Sequence, residues 1–165
     1  MKIKSVKIKN FRGYRDEICV DFDNLTVLIG KNDIGKSTIL EALDIFFNEG
    51  SGAVKWDKSD LNVQAIKNGE NETIISVCFT ELPANIIIDS KVQTDLGSEY
   101  MINADKNLEV IKKFKAPKPA VFIKALHPTN PECCDLLLKK NDDLKNVADI
   151  LDIECENLST NSKIR

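Results

Sequence analysis

The sequence predicts an α/β fold with a mixed sheet, and three observations support this prediction. Two segments near the N-terminus alternate apolar and polar residues, as half-buried antiparallel strands do. Residues 25–29 are almost wholly apolar, which is typical of a strand covered on both faces. Directly afterwards, across a short loop with two glycines, the apolar spacing changes from the strand period to the helix period.

The antiparallel part of the sheet comes first in the chain. Residues 6–9 and 18–22 each place apolar side chains on one face and polar side chains on the other. The link between them, residues 10–14, contains an asparagine and a glycine, which favour turns. We therefore expect an antiparallel β lobe at the start of the fold.

The first helix is predicted over residues 36–48. Its apolar residues recur at the spacing of one helix face. They are Ile39, Leu40, Leu43, Phe46 and Phe47. Two glycines, Gly50 and Gly52, end the pattern. The glycine loop therefore lies between a buried strand and an amphipathic helix.

The rest of the chain carries weaker signals. Further strands are expected at residues 73–79, 99–102, 108–114 and 120–126, and short helices at residues 133–140 and 143–151. We expect two parts: a head portion over residues 1–126, and a helical segment over residues 127–165 that leads into a remainder missing from this sequence.

Composition limits the possible classes of function. The 165 residues are 42% hydrophobic and 30% charged, which suffices for one domain with a core. A formal net charge of −3 predicts no general attraction to nucleic acid. No apolar run approaches the roughly 18 residues of a membrane helix, no secretory signal begins the chain, and the five cysteines lack CxxC spacing. We therefore expect a cytoplasmic protein.

The glycine loop, Gly30-x-x-x-x-Gly35-Lys36-Ser37, matches the P-loop pattern in full. The glycines let the backbone approach phosphate oxygens, and the following helix adds unpaired N–H groups and the positive end of its dipole. Lys36 supplies charge to the β- and γ-phosphates, the Ser37 hydroxyl suits Mg²⁺, and Thr38 adds a donor for the α-phosphate. The motif predicts a nucleotide bound with Mg²⁺.

The first 47 residues resemble the N-terminal head of the SMC/RecF/OLD branch of ABC-type ATPases. The likeness rests on the lysine-rich first strand, the turn Asn10-Phe-Arg-Gly-Tyr14, the antiparallel strand and the stretch LTVLIGKNDIGKSTILEAL. The sequence is most similar to the overcoming-lysogenization-defect (OLD) family, whose loops often carry Asn-Asp where this chain has Asn32-Asp33. The resemblance implies an ABC/SMC-type head that prefers ATP and forms a homodimer, in which a second head completes the nucleotide site.

The resemblance also implies roles for two further side chains. Arg12 is similar to the arginine in the turn after the first strand, which reaches the bound phosphates. An arginine that is merely solvated is the alternative. Asn32, next to Asp33, is similar to the loop residue that faces the γ-phosphate where two heads close around ATP.

Parts of the family pattern are missing after the P-loop. The sequence has no ABC signature, no convincing glutamine loop and no Walker B strand ending in Asp-Glu; Ile86-Ile-Ile-Asp89 comes nearest, but Ser90 follows it. We therefore expect the chain to be the N-terminal part of a longer protein, with catalytic residues that are not identifiable here. On its own it should bind ATP with little hydrolysis, because a water-activating carboxylate is missing.

Three functions remain open at this point. The resemblance favours an ATPase that, at full length, is an ATP-dependent DNA endonuclease in anti-phage defence. The acidic residues Glu99, Asp105 and Glu109 are interpreted as solvated surface and not as its nuclease site. The second function is a RecF/SMC-type repair protein, in which the lysines of the first strand contact DNA or simply protect an edge strand. The third is a partner subunit that binds nucleotide without hydrolysing it.

Overall fold

Four α-helices and seven β-strands, with two short 3₁₀ helices, make up the regular structure of the residues that the computed structural model describes, which are 1–31, 35–49, 52–88, 93–128 and 130–165. The α-helices and β-strands are labelled as follows. In chain order they are β1 (Lys2–Lys9), β2 (Ile18–Asp21), α1 (Lys36–Asn48), α2 (Val63–Lys67), β3 (Thr73–Thr80), β4 (Ile86–Ile87), β5 (Gln93–Thr94), β6 (Leu108–Phe114), β7 (Ala120–Lys124), α3 (Asn141–Ile150) and α4 (Asn161–Ile164). They are divided between two compact units, residues 1–81 with 109–124, and residues 82–108 with 125–165.

The first unit is built on a five-stranded sheet in the order β2-β1-β3-β6-β7. Strand β1 pairs antiparallel with β2 and β3, and β6 pairs antiparallel with β7. Paired positions put Val6 and Ile8 of β1 on the same face as Val77 and Ile75 of β3, and all four side chains are fully buried. The predicted α/β class with an antiparallel lobe is confirmed.

Helix α1 begins and ends where the sequence predicts. Of the predicted apolar face, Ile39 and Phe46 are buried, whereas Leu40 and Phe47 are exposed by 59% and 49%. Ala42 and Ile45 complete the buried set. At its C-terminal end, Lys112 of β6 donates a hydrogen bond to the Phe46 carbonyl oxygen (2.8 Å) and pairs with the Glu49 carboxylate. A cation at this end also interacts favourably with the helix dipole. These contacts connect the helix to the sheet.

The strand predicted at residues 25–29 is wrong. This segment has no regular secondary structure, and its apolar side chains are exposed: Leu25 by 83%, Val27 by 66% and Ile29 by 89%. An apolar strand is stable only when neighbouring strands and covering elements exclude water from it. Among the residues that the structure describes, this segment belongs to neither sheet.

One strand and one helix predicted in the second unit are wrong. Residues 99–102 are not a strand, because Tyr100 has a positive φ of 52° and the Asp95 side chain caps the preceding turn through the N–H groups of Gly97 and Ser98. Residues 133–140 are not an α-helix; a 3₁₀ turn, Pro131–Cys133, is followed by non-helical turns, and Asp135 has a φ of 54°. In each segment, a residue with left-handed backbone conformation is incompatible with the predicted strand or helix.

Two of the three acidic residues interpreted as solvated surface are buried, which corrects that expectation. Glu99 lies in the second unit and pairs with Arg165, with an Oε2–Nε distance of 2.7 Å. Glu109 lies in the first unit, where its side chain pairs with Lys7 at 3.0 Å. Asp105 is exposed, as expected. Opposite charges make the burial of these two carboxylates possible.

Candidate nucleotide-binding site

The P-loop ends at Gly35, which is the N-cap residue of α1 and has a left-handed φ of +90°. A side chain is strained in this conformation, so the second glycine of the motif is required by the backbone. The first intrahelical bond joins the Ile39 N–H to the Gly35 carbonyl oxygen (3.3 Å). The preceding first-turn N–H groups have no partner within the helix, and such groups form an anion site at a helix N-terminus.

Lys36 lies over the first half of the loop. Its Nζ donates to the carbonyl oxygens of Gly30 and Lys31, each at 2.6 Å. The fold thus brings together Gly30 and Lys36, as the motif requires. A phosphate in the loop would offer this amine an anionic acceptor, which binds a cation more strongly than a neutral carbonyl does.

The remaining predicted loop residues are placed as follows. Ser37 is exposed and Thr38 half-buried, both in the first turn of α1. Asn32 and Asp33 lie outside the described residues, and so does Asp89 of the nearest Walker B candidate. No cluster of three or more His, Cys, Asp or Glu side chains that would hold a metal occurs within the described ranges.

Arg12 is held by two carboxylates. Its guanidinium pairs with Glu41 of α1 and with Asp60, the latter at 2.9 Å between Nε and Oδ1. The backbone is also fixed, because the Arg12 N–H donates to the Asp60 carbonyl oxygen (2.6 Å) and Asn62 Nδ2 donates to the Arg12 carbonyl oxygen (2.6 Å). Arg12 thus links the β1–β2 turn to α1 and to the segment before α2, and it is not simply solvated.

Tyr14 contacts the P-loop, although it lies outside the P-loop motif. Its hydroxyl donates to the Gly35 carbonyl oxygen at 3.2 Å. A Cβ on Gly35 would lie only 2.5 Å from that hydroxyl oxygen, so close packing is a second reason for glycine here. Tyr14 stands two residues after Arg12 in the turn that carries the family resemblance, and this position is the signal that would have found it.

Carboxylates offset the basic charge of β1. Lys7 pairs with Glu109 at 3.0 Å, and Lys9 pairs with Glu70 at 3.4 Å. The hydrogen bond to Glu109 raises the pKa of Lys7 above its ordinary value. Because these lysines already have acidic partners, a phosphate backbone would compete with those carboxylates for them.

A family model for the AAA ATPase domain matches the chain over residues 1–165. The chain belongs to the AAA ATPase domain family. This AAA ATPase domain is 26% identical over 126 residues to the DNA replication and repair protein RecF of Lactococcus lactis subsp. lactis (strain IL1403), covering 68% of the chain and 35% of RecF. It is 37% identical over 60 residues to endonuclease GajA of Bacillus cereus (strain VD045), covering 36% of the chain and 10% of GajA.

The AAA ATPase domain also resembles a solved structure reported as "Structural biochemistry of ATP-driven dimerization and DNA stimulated activation of SMC ATPases". The two are 13% identical with a TM-score of 0.51, and the match covers 89% of this chain and 91% of the other. This likeness confirms the predicted SMC-head-like fold. The domain spans about a third or less of the length of these curated relatives. No described helix is long and apolar enough to cross a membrane.

Proposed function

We propose that this chain binds Mg·ATP at its P-loop. The binding residues are Gly30, Asn32, Asp33, Gly35, Lys36, Ser37, Thr38 and Arg12, with Ser37 as the Mg²⁺ ligand. The observation that carries the proposal is the geometry of Gly35 and Lys36. A left-handed glycine begins a long helix, and the lysine amine is directed over the same loop. Membership in an ATPase family supports a nucleotide as the ligand.

At full length, we propose an OLD-like ATPase that acts as an ATP-dependent DNA endonuclease in anti-phage defence. The similarity to endonuclease GajA supports this activity. The protein would be cytoplasmic and would contain a head portion (residues 1–126), a helical segment (residues 127–165) and a further part with the nuclease and Walker B residues. The exposed apolar segment at residues 25–29 supports a further part, because its side chains need covering strands.

A second head is the proposed partner, in a homodimer that completes the nucleotide site. The resemblance to an SMC ATPase structure reported for ATP-driven dimerization supports this arrangement. The isolated chain would then bind ATP with little hydrolysis. The described residues of its P-loop supply the lysine and the helix N-terminus. Activation of the attacking water would need other residues.

A RecF-type protein that binds DNA under the control of ATP without cleaving it is the second candidate. One observation favours it, since the match to RecF covers 68% of the chain and the match to GajA only 36%. The ion pairs of Lys7 and Lys9 argue against β1 as the DNA-binding surface. DNA contacts would then lie elsewhere in the full-length protein.

These functions are tested by purifying the full-length protein from its own cell and measuring its mass, DNA binding and DNA cleavage. We expect an intact mass well above the 18.5 kDa of this chain and DNA cleavage that needs Mg·ATP. DNA binding that needs ATP but gives no cleavage would support the RecF-type alternative. A native mass of 18.5 kDa would contradict both and leave a nucleotide-binding partner subunit.

Replacing Arg12 by alanine tests the implied contact with the nucleotide. We expect the dissociation constant for Mg·ATP to rise about threefold to tenfold, because a guanidinium forms strong charged hydrogen bonds with phosphate. Isothermal titration calorimetry measures the change, and thermal unfolding shows whether loss of the Glu41 and Asp60 pairs disturbs the fold. Arg15→Ala is the matched control, because it removes the same charge from an exposed residue near the turn. Unchanged ATP affinity and turnover would remove Arg12 from the site.

A further inference from the structure

The Tyr14 hydroxyl meets the P-loop at the peptide that joins Gly35 to Lys36. It donates to the Gly35 carbonyl oxygen at 3.2 Å, and the Ile39 N–H donates to the same oxygen at 3.3 Å. A carbonyl oxygen has two lone pairs and can accept both bonds. The carbonyl side of this peptide is therefore held by the turn and by the helix.

Holding the carbonyl also fixes the N–H on the other side of the peptide. The peptide is planar and trans, so its C=O and N–H groups point in opposite directions. The Gly35 carbonyl points into α1, and the Lys36 N–H consequently points out of the helix N-terminus. A hydrogen bond to the carbonyl also polarises the amide and makes its N–H a stronger donor.

The turn that carries Tyr14 is itself well fixed. The Phe11 N–H donates to the Tyr14 carbonyl oxygen (2.8 Å), and the Tyr14 N–H donates to the Phe11 carbonyl oxygen (2.9 Å). The Phe11 side chain is fully buried in the core. Because a glycine backbone is less restricted than that of other residues, the hydrogen bond from Tyr14 supplies a constraint that Gly35 lacks on its own.

From this geometry we infer that Tyr14 is a positioning residue of the nucleotide site. It orients the Gly35–Lys36 peptide so that the Lys36 N–H is directed at a bound phosphate oxygen. This inference rests on the proposed binding of Mg·ATP. Tyr14 acts through the P-loop backbone, and its own side chain is not required to contact the nucleotide.

Replacing Tyr14 by phenylalanine removes the hydroxyl and keeps the ring. We expect the dissociation constant for Mg·ATP to rise threefold to tenfold. In ¹H–¹⁵N spectra, addition of Mg·ATP should move the Lys36 amide proton downfield in the unmodified protein and less in Tyr14→Phe. The thermal unfolding midpoint should fall by at most about 4 °C, because the ring is retained and only one hydrogen bond is lost. Tyr100→Phe is the matched control, since Tyr100 is the other tyrosine of the chain and lies in the second unit.

The outcomes separate this inference from the proposed function. If Lys36→Ala weakens ATP binding while Tyr14→Phe leaves the affinity and the Lys36 shift unchanged, only the inference is wrong. A lowered unfolding midpoint with an unchanged Lys36 shift would show a purely structural role and would also overturn it. If the unmodified protein fails to bind Mg·ATP, both the proposed function and the inference fail.

Discussion

Replacing Lys36 by alanine is expected to weaken the binding of Mg·ATP at least tenfold, a loss of about 1.4 kcal/mol. The amine lies over the loop, where it donates to the carbonyl oxygens of Gly30 and Lys31. Removal of this charge deprives the β- and γ-phosphates of the charge-assisted hydrogen bonds that the lysine would donate. Titration calorimetry with Mg·ATP measures the change directly. The fold should persist, because Lys36 is not part of the buried core.

The control for this experiment is Lys4→Ala. Lys4 is exposed, and it lies in β1 towards the end away from the β1–β2 turn. Its replacement removes the same net charge, so any general effect of charge on the binding of an anion would appear in both variants. Equal affinities of Lys36→Ala and the unmodified chain for Mg·ATP would contradict the proposed site.

Replacing Glu99 by alanine is expected to lower the free energy of unfolding of the second unit by about 3–5 kcal/mol. The side chains of Glu99 and Arg165 are 1% and 3% exposed, and their Oε2–Nε distance is 2.7 Å. Without the carboxylate, the buried guanidinium loses the partner of this ion pair, and removal of one partner of a buried pair is strongly destabilising. Urea unfolding of the variant and the unmodified protein gives the difference.

An exposed ion pair of the same unit supplies the comparison. Lys163 and Glu156 are separated by 3.8 Å, and their side chains are 52% and 88% exposed. Because water screens such a pair, Glu156→Ala should change the free energy of unfolding by less than about 1 kcal/mol. Equal effects of the two substitutions would show that burial of the Glu99–Arg165 pair does not determine its contribution.

Local sequence patterns predicted the elements that depend on local interactions. Helix α1 follows from its apolar spacing and from a glycine loop before it, and the antiparallel pairing of β1 and β2 follows from two alternating segments joined by a short turn. The same loop identifies Gly35 and Lys36 as candidate site residues, because the P-loop motif is contiguous in sequence. These features are specified within about twenty residues of chain.

Local sequence patterns do not predict interactions between residues that are far apart in the sequence. Glu99 and Glu109 are predicted to be solvated, but both are buried and paired with a basic side chain. The partner of Glu99 is 66 positions away in the sequence, and the partner of Glu109 is 102 positions away. The contact of Tyr14 with the Gly35 carbonyl joins positions 21 residues apart and involves a backbone atom, which no residue-type motif records. The strand predicted at residues 25–29 failed for a related reason, because an apolar segment forms a strand only where a neighbouring strand is present.

The exposed segment at residues 25–29 also affects how the isolated chain behaves in solution. Leu25, Val27 and Ile29 project into water from five residues that carry no charge and no proline. Short segments with this composition pair readily with copies of themselves, and the resulting sheets drive aggregation. We therefore expect residues 25–29, directly before the P-loop, to limit the colloidal stability of the isolated chain, and an element that covers them to protect the molecule from aggregation.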